Sequence, residues 1–182
     1  GDAGNDTLHG GAGNDALRGG AGDDTYLFDR NFSGTTVGDI IYENASDGFD
    51  TVRFTDGIEA AEVFSWTDSS GYLWMQVGST AATNTLKAQG SYSSTTGVAT
   101  RIEQVVFDDA TVWDLTQGLH LRNTDTARTF YGSAYGDILE GGSAAETIYG
   151  YGGDDTLVGN GGNDTLRGGD GNDSYLFGYG FS

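Results

Sequence analysis

Residues 10–28 read GGAGNDALRGGAGDDTYLF. In each nine residues, glycines crowd the first four positions, an acid stands at the sixth, and one large apolar residue stands at the eighth. Glycine is about 0.5–1 kcal/mol harder to order than alanine. One apolar side chain per unit offers little burial to offset that. The same phase runs outward from this stretch. GDAGNDTLH (1–9) precedes GGAGNDALR (10–18) and GGAGDDTYL (19–27). A second block follows as GSAYGDILE (132–140), GGSAAETIY (141–149), GYGGDDTLV (150–158), GNGGNDTLR (159–167) and GGDGNDSYL (168–176). A fixed internal period sets the architecture before any other reading.

The chain has 182 residues and a formal net charge of −19, from 27 acids and 8 bases. Such a chain repels nucleic-acid phosphates and anionic membrane surfaces, so neither is an expected partner. With 12% aromatics it is not a disordered acidic tail, and a cation is the economical partner. There are no cysteines, so neither disulfides nor thiolate metal sites are available. No apolar run approaches the length of a transmembrane segment, and no signal peptide is evident. The sequence starts inside one repeat block and stops just after another, so we expect a fragment of a longer repetitive protein.

Within a unit, the first six residues are turn-like and the last three, such as Thr7-Leu8-His9, alternate as a strand does. Glycines let the backbone curl tightly with its carbonyls unpaired. The carboxylate at position six completes an all-oxygen donor set. Hard oxygen donors in a flexible cage suit Ca²⁺, with 6–8 ligands, better than zinc, copper or magnesium.

These units resemble the RTX, or haemolysin-type, calcium-binding nonapeptide repeat. The resemblance implies a parallel β-roll in which two units make one turn and calcium sits between turns. It also implies ligands: the carbonyls of positions two and four with the carboxylate of position six from one unit, and the carbonyls of positions one and three with the carboxylate from the next unit but one. Carried over, one site joins Asp2, Gly4 and Asp6 to Gly19, Ala21 and Asp24. In the second block, Ser133, Tyr135 and Asp137 join Gly150, Gly152 and Asp155. Gly142, Ala144 and Glu146 join Gly159, Gly161 and Asp164. Tyr151, Gly153 and Asp155 join Gly168, Asp170 and Asp173. Half-sites remain at Gly11, Gly13 and Asp15, to be closed by Asp39 or Glu43, and at Asn160, Gly162 and Asp164, whose partner unit is not in the sequence. Tyr135 and Ala144 replace the usual glycine and Glu146 the usual aspartate, so we expect distorted or partly filled turns there.

Calcium at ten times a site's dissociation constant adds roughly 1.4 kcal/mol, so four or five sites add about 6–7 kcal/mol. That is comparable with a domain's whole stability of ~5–15 kcal/mol. We therefore expect the roll to be disordered without calcium and to fold with it. The resemblance further implies bacterial type I secretion, with the chain exported unfolded and folding outside the cell.

Between the blocks the nonapeptide disappears. TVRFT (51–55), EVFSW (62–66), YLWMQVG (72–78) and TLKAQG (85–90) read as strands, and RIEQVVFDDATVWDL (101–115) as a hairpin about Asp108-Asp109-Ala110. Ile102-Glu103-Gln104, Phe107, Asp109 and Thr111-Val112-Trp113 resemble the haemolysin-type calcium-binding-related domain, with Ala110 where a glycine is usual. Phe64, Trp66, Tyr72, Trp74 and Trp113 read as core packing, or alternatively as a stacking platform for a sugar ring.

No catalytic constellation is present in the sequence. His9 holds the variable ninth position of a unit and His120 stands alone; there is no HExxH, GxSxG or phosphate loop. Acid pairs such as Asp23-Asp24 and Asp154-Asp155 are positions five and six of a unit, not an acid–base pair. We expect an all-β, non-enzymatic chain: parallel β-roll blocks at 1–43 and 122–182 flanking a small antiparallel β domain at 44–121. The expected function is that of a calcium-binding structural and secretion module of a larger exported toxin, adhesin or extracellular enzyme. Its expected partners are calcium ions and neighbouring repeat blocks of the parent chain. The alternative is a module that grips a polysaccharide or cell surface.

Overall fold

The turn-then-strand rhythm of the repeat is what the chain adopts. In the computed structural model, which describes residues 1–32, 38–44, 47–78, 84–89, 102–123 and 126–178, the last positions of each unit form a short strand. The first block gives β1 (Thr7–His9), β2 (Ala16–Leu17) and β3 (Thr25–Phe28). Then come β4 (Asp39–Ile41), β5 (Thr51–Phe54), one turn of 3₁₀ helix (Ala60–Glu62), β6 (Val63–Thr67), β7 (Leu73–Val77) and β8 (Thr85–Ala88). The hairpin of β9 (Gln104–Val106) and β10 (Val112–Asp114) leads to β11 (His120–Arg122). The second block gives β12 (Thr129–Tyr131), β13 (Ile138–Glu140), β14 (Thr147–Gly152), β15 (Thr156–Val158), β16 (Thr165–Asp170) and β17 (Ser174–Leu176).

Strands two units apart pair in parallel. Thr7 lies opposite Thr25, Ile138 opposite Thr156 and Thr147 opposite Thr165. Successive units therefore go to opposite sheets, and the position-eight side chains meet between them. Tyr26, Leu139, Ile148 and Leu157 are fully buried there. This single-file core is the apolar content that one residue in nine provides.

The sheets do not stop where the nonapeptide does. On one side the order is β1-β3-β5-β9-β10, so β5 and β9 extend the first roll in parallel before β10 turns back. On the other, nine strands run β17-β15-β13-β11-β6-β7-β8-β4-β2. Here β4 pairs β8 in parallel, β8-β7-β6-β11 are antiparallel, and β11-β13 are parallel again. A third sheet, β12-β14-β16, faces the second block's half of the long sheet. The antiparallel pairing expected between the blocks is found in β6–β8 and β9–β10, while β5, β8 and β9 also continue the parallel stack. The divisions at 43/44 and 121/122 mark changes of sequence pattern, and hydrogen-bonded sheets cross both.

The expected hairpin about Asp108-Asp109-Ala110 is present. The Phe107 N–H donates to the Thr111 carbonyl at 3.0 Å, and Ala110 sits at φ 64°. Arg101 and Gly90, at the ends of two expected strands, lie outside the described residues. The middle of the chain has its own apolar core. Phe54 stacks on Phe107 (5.4 Å between centroids), and Phe107 meets Trp113 edge-on (4.6 Å). Trp66 and Trp74 stack on each other at 5.9 Å, with Arg128 over Trp66 (3.8 Å) and Lys87 near Trp74 (5.1 Å). The outer faces of that stack are taken by this chain's own cations, and Trp66 is buried. No helix among the described residues is long and apolar enough to cross a membrane.

Candidate metal centre

Position six is the structural key. The backbone N–H of one position-six acid donates to a carboxylate on the next turn of the stack. Asp6 donates to Asp24 Oδ1 at 2.7 Å and Asp15 to Asp39 Oδ1 at 2.9 Å. In the second block Asp137 donates to Asp155 Oδ1 (2.8 Å), Glu146 to Asp164 Oδ1 (2.9 Å) and Asp155 to Asp173 Oδ1 (3.2 Å). One oxygen of each acceptor carboxylate is thus spent locking one turn to the next.

The other oxygen turns back to position one of its own unit. A Cβ at Gly1 would overlap Asp6 Oδ2 and the Gly19 carbonyl. At Gly132 the obstructing atoms are Asp137 Oδ2 and the Gly150 carbonyl, at Gly141 they are Glu146 Oε2 and the Gly159 carbonyl, and at Gly150 they are Asp155 Oδ2 and the Gly168 carbonyl. Glycine is required at position one because these oxygens occupy the space of a side chain. The four carboxylate–carbonyl pairs fall at the four complete sites that the resemblance implies. Among the remaining carbonyls, those of Asp2, Ser133 and Gly142 each accept an N–H two units on, from Ala21 (3.0 Å), Gly152 (3.2 Å) and Gly161 (3.0 Å). Each keeps a second lone pair for a metal.

Position four serves the stacking of turns. Gly153, Gly162 and Gly171 have φ of 97°, 109° and 129°, and a Cβ on Gly171 would collide with the Gly153 carbonyl. Tyr135 and Ala144 do not adopt this positive φ. In the first of these two turns Asp137 is already engaged. Its Oδ1 accepts the Leu119 N–H (2.6 Å) and the Ser133 hydroxyl (2.9 Å), and its Oδ2 accepts the Ser133 N–H. Tyr151 and Asn160 do take positive φ, at 78° and 60°.

The electrostatics of the array are unbalanced. Asp24 Oδ2, Asp39 Oδ2, Asp155 Oδ2 and Glu146 Oε1 are buried and accept no hydrogen bond; so is Asp15 Oδ2 on a less buried residue. Among the described residues the ion pairs are His9–Asp29, Arg30–Glu62 and Arg122–Glu140, none of which reaches this ladder. Burial pushes Asp155 and Glu146 up to about 7 and Asp137 up to about 6. Burial also raises Asp39, against the Asp15 N–H bond that lowers it. Buried carboxylates with orphan oxygens beside backbone carbonyls fit a hard divalent cation, and calcium in particular.

Of the two residues expected to close the Gly11–Gly13–Asp15 half-site, Asp39 is the one that meets Asp15. Glu43 goes elsewhere: its Oε1 accepts the Gly19 N–H at 3.1 Å, and it gathers with Asp24 and Asp50 so that their oxygens lie within 4.8 Å of one another. Asp50 and Glu103 are the residues the sequence reading missed. The Asp24 N–H donates to Asp50 Oδ1 (2.9 Å), and the Asp50 N–H to Glu103 Oε2 (2.7 Å), so the ladder runs past the repeats. A signal existed: Asp50-Thr51-Val52 repeats the position-six-to-eight pattern of Asp24-Thr25-Tyr26, and Asp39-Ile40-Ile41 does so too. Asn160, Gly162 and Asp164 hold the remaining half-site, where Asp164 Oδ2 packs on Gly159.

Comparison with protein families agrees with this geometry. The family model for the RTX calcium-binding nonapeptide repeat (4 copies) matches residues 1–29, 131–165 and 149–178. That for the haemolysin-type calcium binding protein related domain matches residues 82–117. The chain carries RTX calcium-binding repeats on either side of a haemolysin-type calcium-binding related domain.

Proposed function

We propose that this RTX-repeat chain is a calcium-folded structural module of a larger exported protein: a segment that crosses out of the cell unfolded and takes its shape where calcium is plentiful. The observation that carries the reading is the fourfold convergence of a position-six carboxylate on a position-one carbonyl, with no ion pair to balance it among the described residues. Calcium bound there supplies the missing positive charge. The chain's own residues do the rest: glycines at positions one and four make room, position-six N–H groups set the register, and position-eight side chains close the core. The ends, about 1–43 and 122–182, are the calcium-dependent parts, and 44–121 holds them in one sheet through its own apolar core. Nothing in the arrangement of Trp66 and Trp74 favours a sugar platform, because Arg128 and Lys87 occupy the stack's faces.

The test is far-UV circular dichroism of the calcium-stripped chain during a calcium titration, with magnesium as the control. A gain of β signal with calcium alone is expected. A chain fully folded in chelator, or equally responsive to magnesium, would overturn the reading.

A further inference from the structure

At Gly1, Gly132, Gly141 and Gly150 the position-six carboxylate meets a neutral backbone carbonyl from the unit two on. At Gly19 the pattern changes. A Cβ there would meet Asp24 Oδ2, Glu43 Oε1 and the Tyr26 hydroxyl. Where a nonapeptide two units on would supply a carbonyl, the chain supplies a second carboxylate. A third comes from Asp50, whose Oδ1 is held by the Asp24 N–H. All three acids are at least nine-tenths buried, at 1%, 4% and 1% exposure for Asp24, Glu43 and Asp50. Asp24 Oδ2, which points into the cluster, accepts no hydrogen bond. A cavity of about 390 Å³, lined by Gly1, Arg18, Gly20, Tyr42, Glu43 and Asp47, gives access from solvent. Arg18 rests on the Tyr42 ring at 4.1 Å.

We infer that Asp24, Glu43 and Asp50 form a separate divalent-cation site at the junction of the first repeat block with the middle strands, tighter than the repeat sites and the first to fill. The inference rests on the reading above that the chain binds calcium, and adds a site in which Glu43 and Asp50, from outside the nonapeptides, join the repeat acid Asp24. The physical basis is charge count. Oxygen sites for calcium tighten with the number of ionised ligands and with rigidity, and this site has three carboxylates where a repeat site pairs carboxylates with neutral carbonyls. Its three ligands come from a repeat turn, from the segment after β4 and from the start of β5. An ion here ties both sheets of the first roll to the strands that follow.

The experiment is calcium binding to the stripped full chain by competition with a fluorescent chelator, for wild type, Glu43→Gln and Asp50→Asn. Wild type should take its first ion at least about tenfold below the free calcium that fills the rest. Each variant should lose that first phase and one ion, with the later phases unchanged and circular dichroism at saturating calcium like wild type. Both variants keeping the first phase would overturn the junction site while leaving the repeat sites standing. No calcium binding by wild type would instead overturn the broader reading. A second readout does not depend on the carboxylate variants folding. The Tyr26 hydroxyl touches the site, so terbium in the first equivalent should be sensitised by it. Tyr26→Phe should lose most of that emission at unchanged stoichiometry, and undiminished emission counts against the site.

Discussion

Remove calcium and lower the pH from about 7.5 to about 5, and this chain should become more stable. The reasoning starts from buried carboxylates whose acid forms are favoured by the fold. Asp155 is raised from 3.8 to about 7 and Glu43 from 4.5 to about 7, in each case chiefly by burial. For Glu43 the Asp50 charge adds to this, and the Gly19 N–H opposes it. A raised folded pKa means that between roughly pH 4 and 7 the native chain binds more protons than the unfolded one. Stability then falls as pH rises through that window. At about 1.4 kcal/mol per pH unit, the shifts correspond to about 4 kcal/mol for Asp155 and about 3 kcal/mol for Glu43. The two lie in different blocks and are independent to first order. Their joint penalty of about 7 kcal/mol at neutral pH matches a typical domain's whole stability of ~5–15 kcal/mol. Far-UV circular dichroism of the calcium-stripped chain across this pH range is the assay, with urea midpoints for the calcium-loaded chain. The metal-free chain should gain β signal on acidification, and the calcium-loaded chain should lose resistance to urea, because protons then compete with the ion. A metal-free chain whose β signal is flat, or climbs, from pH 5 to 7.5 refutes the claim that uncompensated carboxylates oppose folding.

Four other outcomes follow from the same geometry. Asp155→Asn should raise the β signal of the stripped chain at neutral pH and weaken calcium binding in the second block, as circular dichroism and binding isotherms will show. Gly150→Ala should cost the second block an ion, because the new methyl overlaps Asp155 Oδ2 and sits 2.7 Å from the Gly168 carbonyl; binding stoichiometry checks this. Ala110→Gly should stabilise the chain by roughly 1 kcal/mol by relieving a left-handed alanine, read from denaturant midpoints at saturating calcium. Phe107→Ala should cost about 3–5 kcal/mol at saturating calcium, since the ring is 2% exposed and packed between Phe54 and Trp113.

How much of this was legible in the sequence depends on which residues carry the pattern. The eight in-phase units made the roll, its pairing of alternate units and its position-eight core readable, because period alone dictates them. Leu139, Ile148 and Leu157 are buried for that reason. Tyr175, at the same position in the last unit, is 42% exposed, because its strand β17 lies at the edge of the long sheet. The four carboxylate–carbonyl pairings could be named because ligand positions repeat with the backbone. The role of Ser133 could not. A hydroxyl that turns onto Asp137 competes with a metal, and whether it does so depends on a rotamer that no spacing encodes.

The continuity of the sheets was hidden for a related reason. A repeat can decay in its turn and survive in its strand, since the turn needs several glycines but the strand needs only alternation. Asp50-Thr51-Val52 has lost the glycine-rich approach and kept the acid and the inward residue, so it still docks on Thr25-Tyr26 as another rung. Glu103 then accepts from Asp50 what Asp50 accepts from Asp24. The acid ladder therefore enters the very strands that bury Phe54, Val105 and Phe107. Repulsion among those acids acts on the hydrogen bonds that hold β3, β5 and β9 together, and an ion that relieves it at Asp24 acts on the same bonds. The apolar middle and the calcium-dependent end are for that reason mechanically one sheet. Tryptophan fluorescence, which reports only the middle because Trp66, Trp74 and Trp113 all lie there, should move with backbone circular dichroism along a calcium titration. Two well-separated midpoints would show that the strands pair without sharing stability.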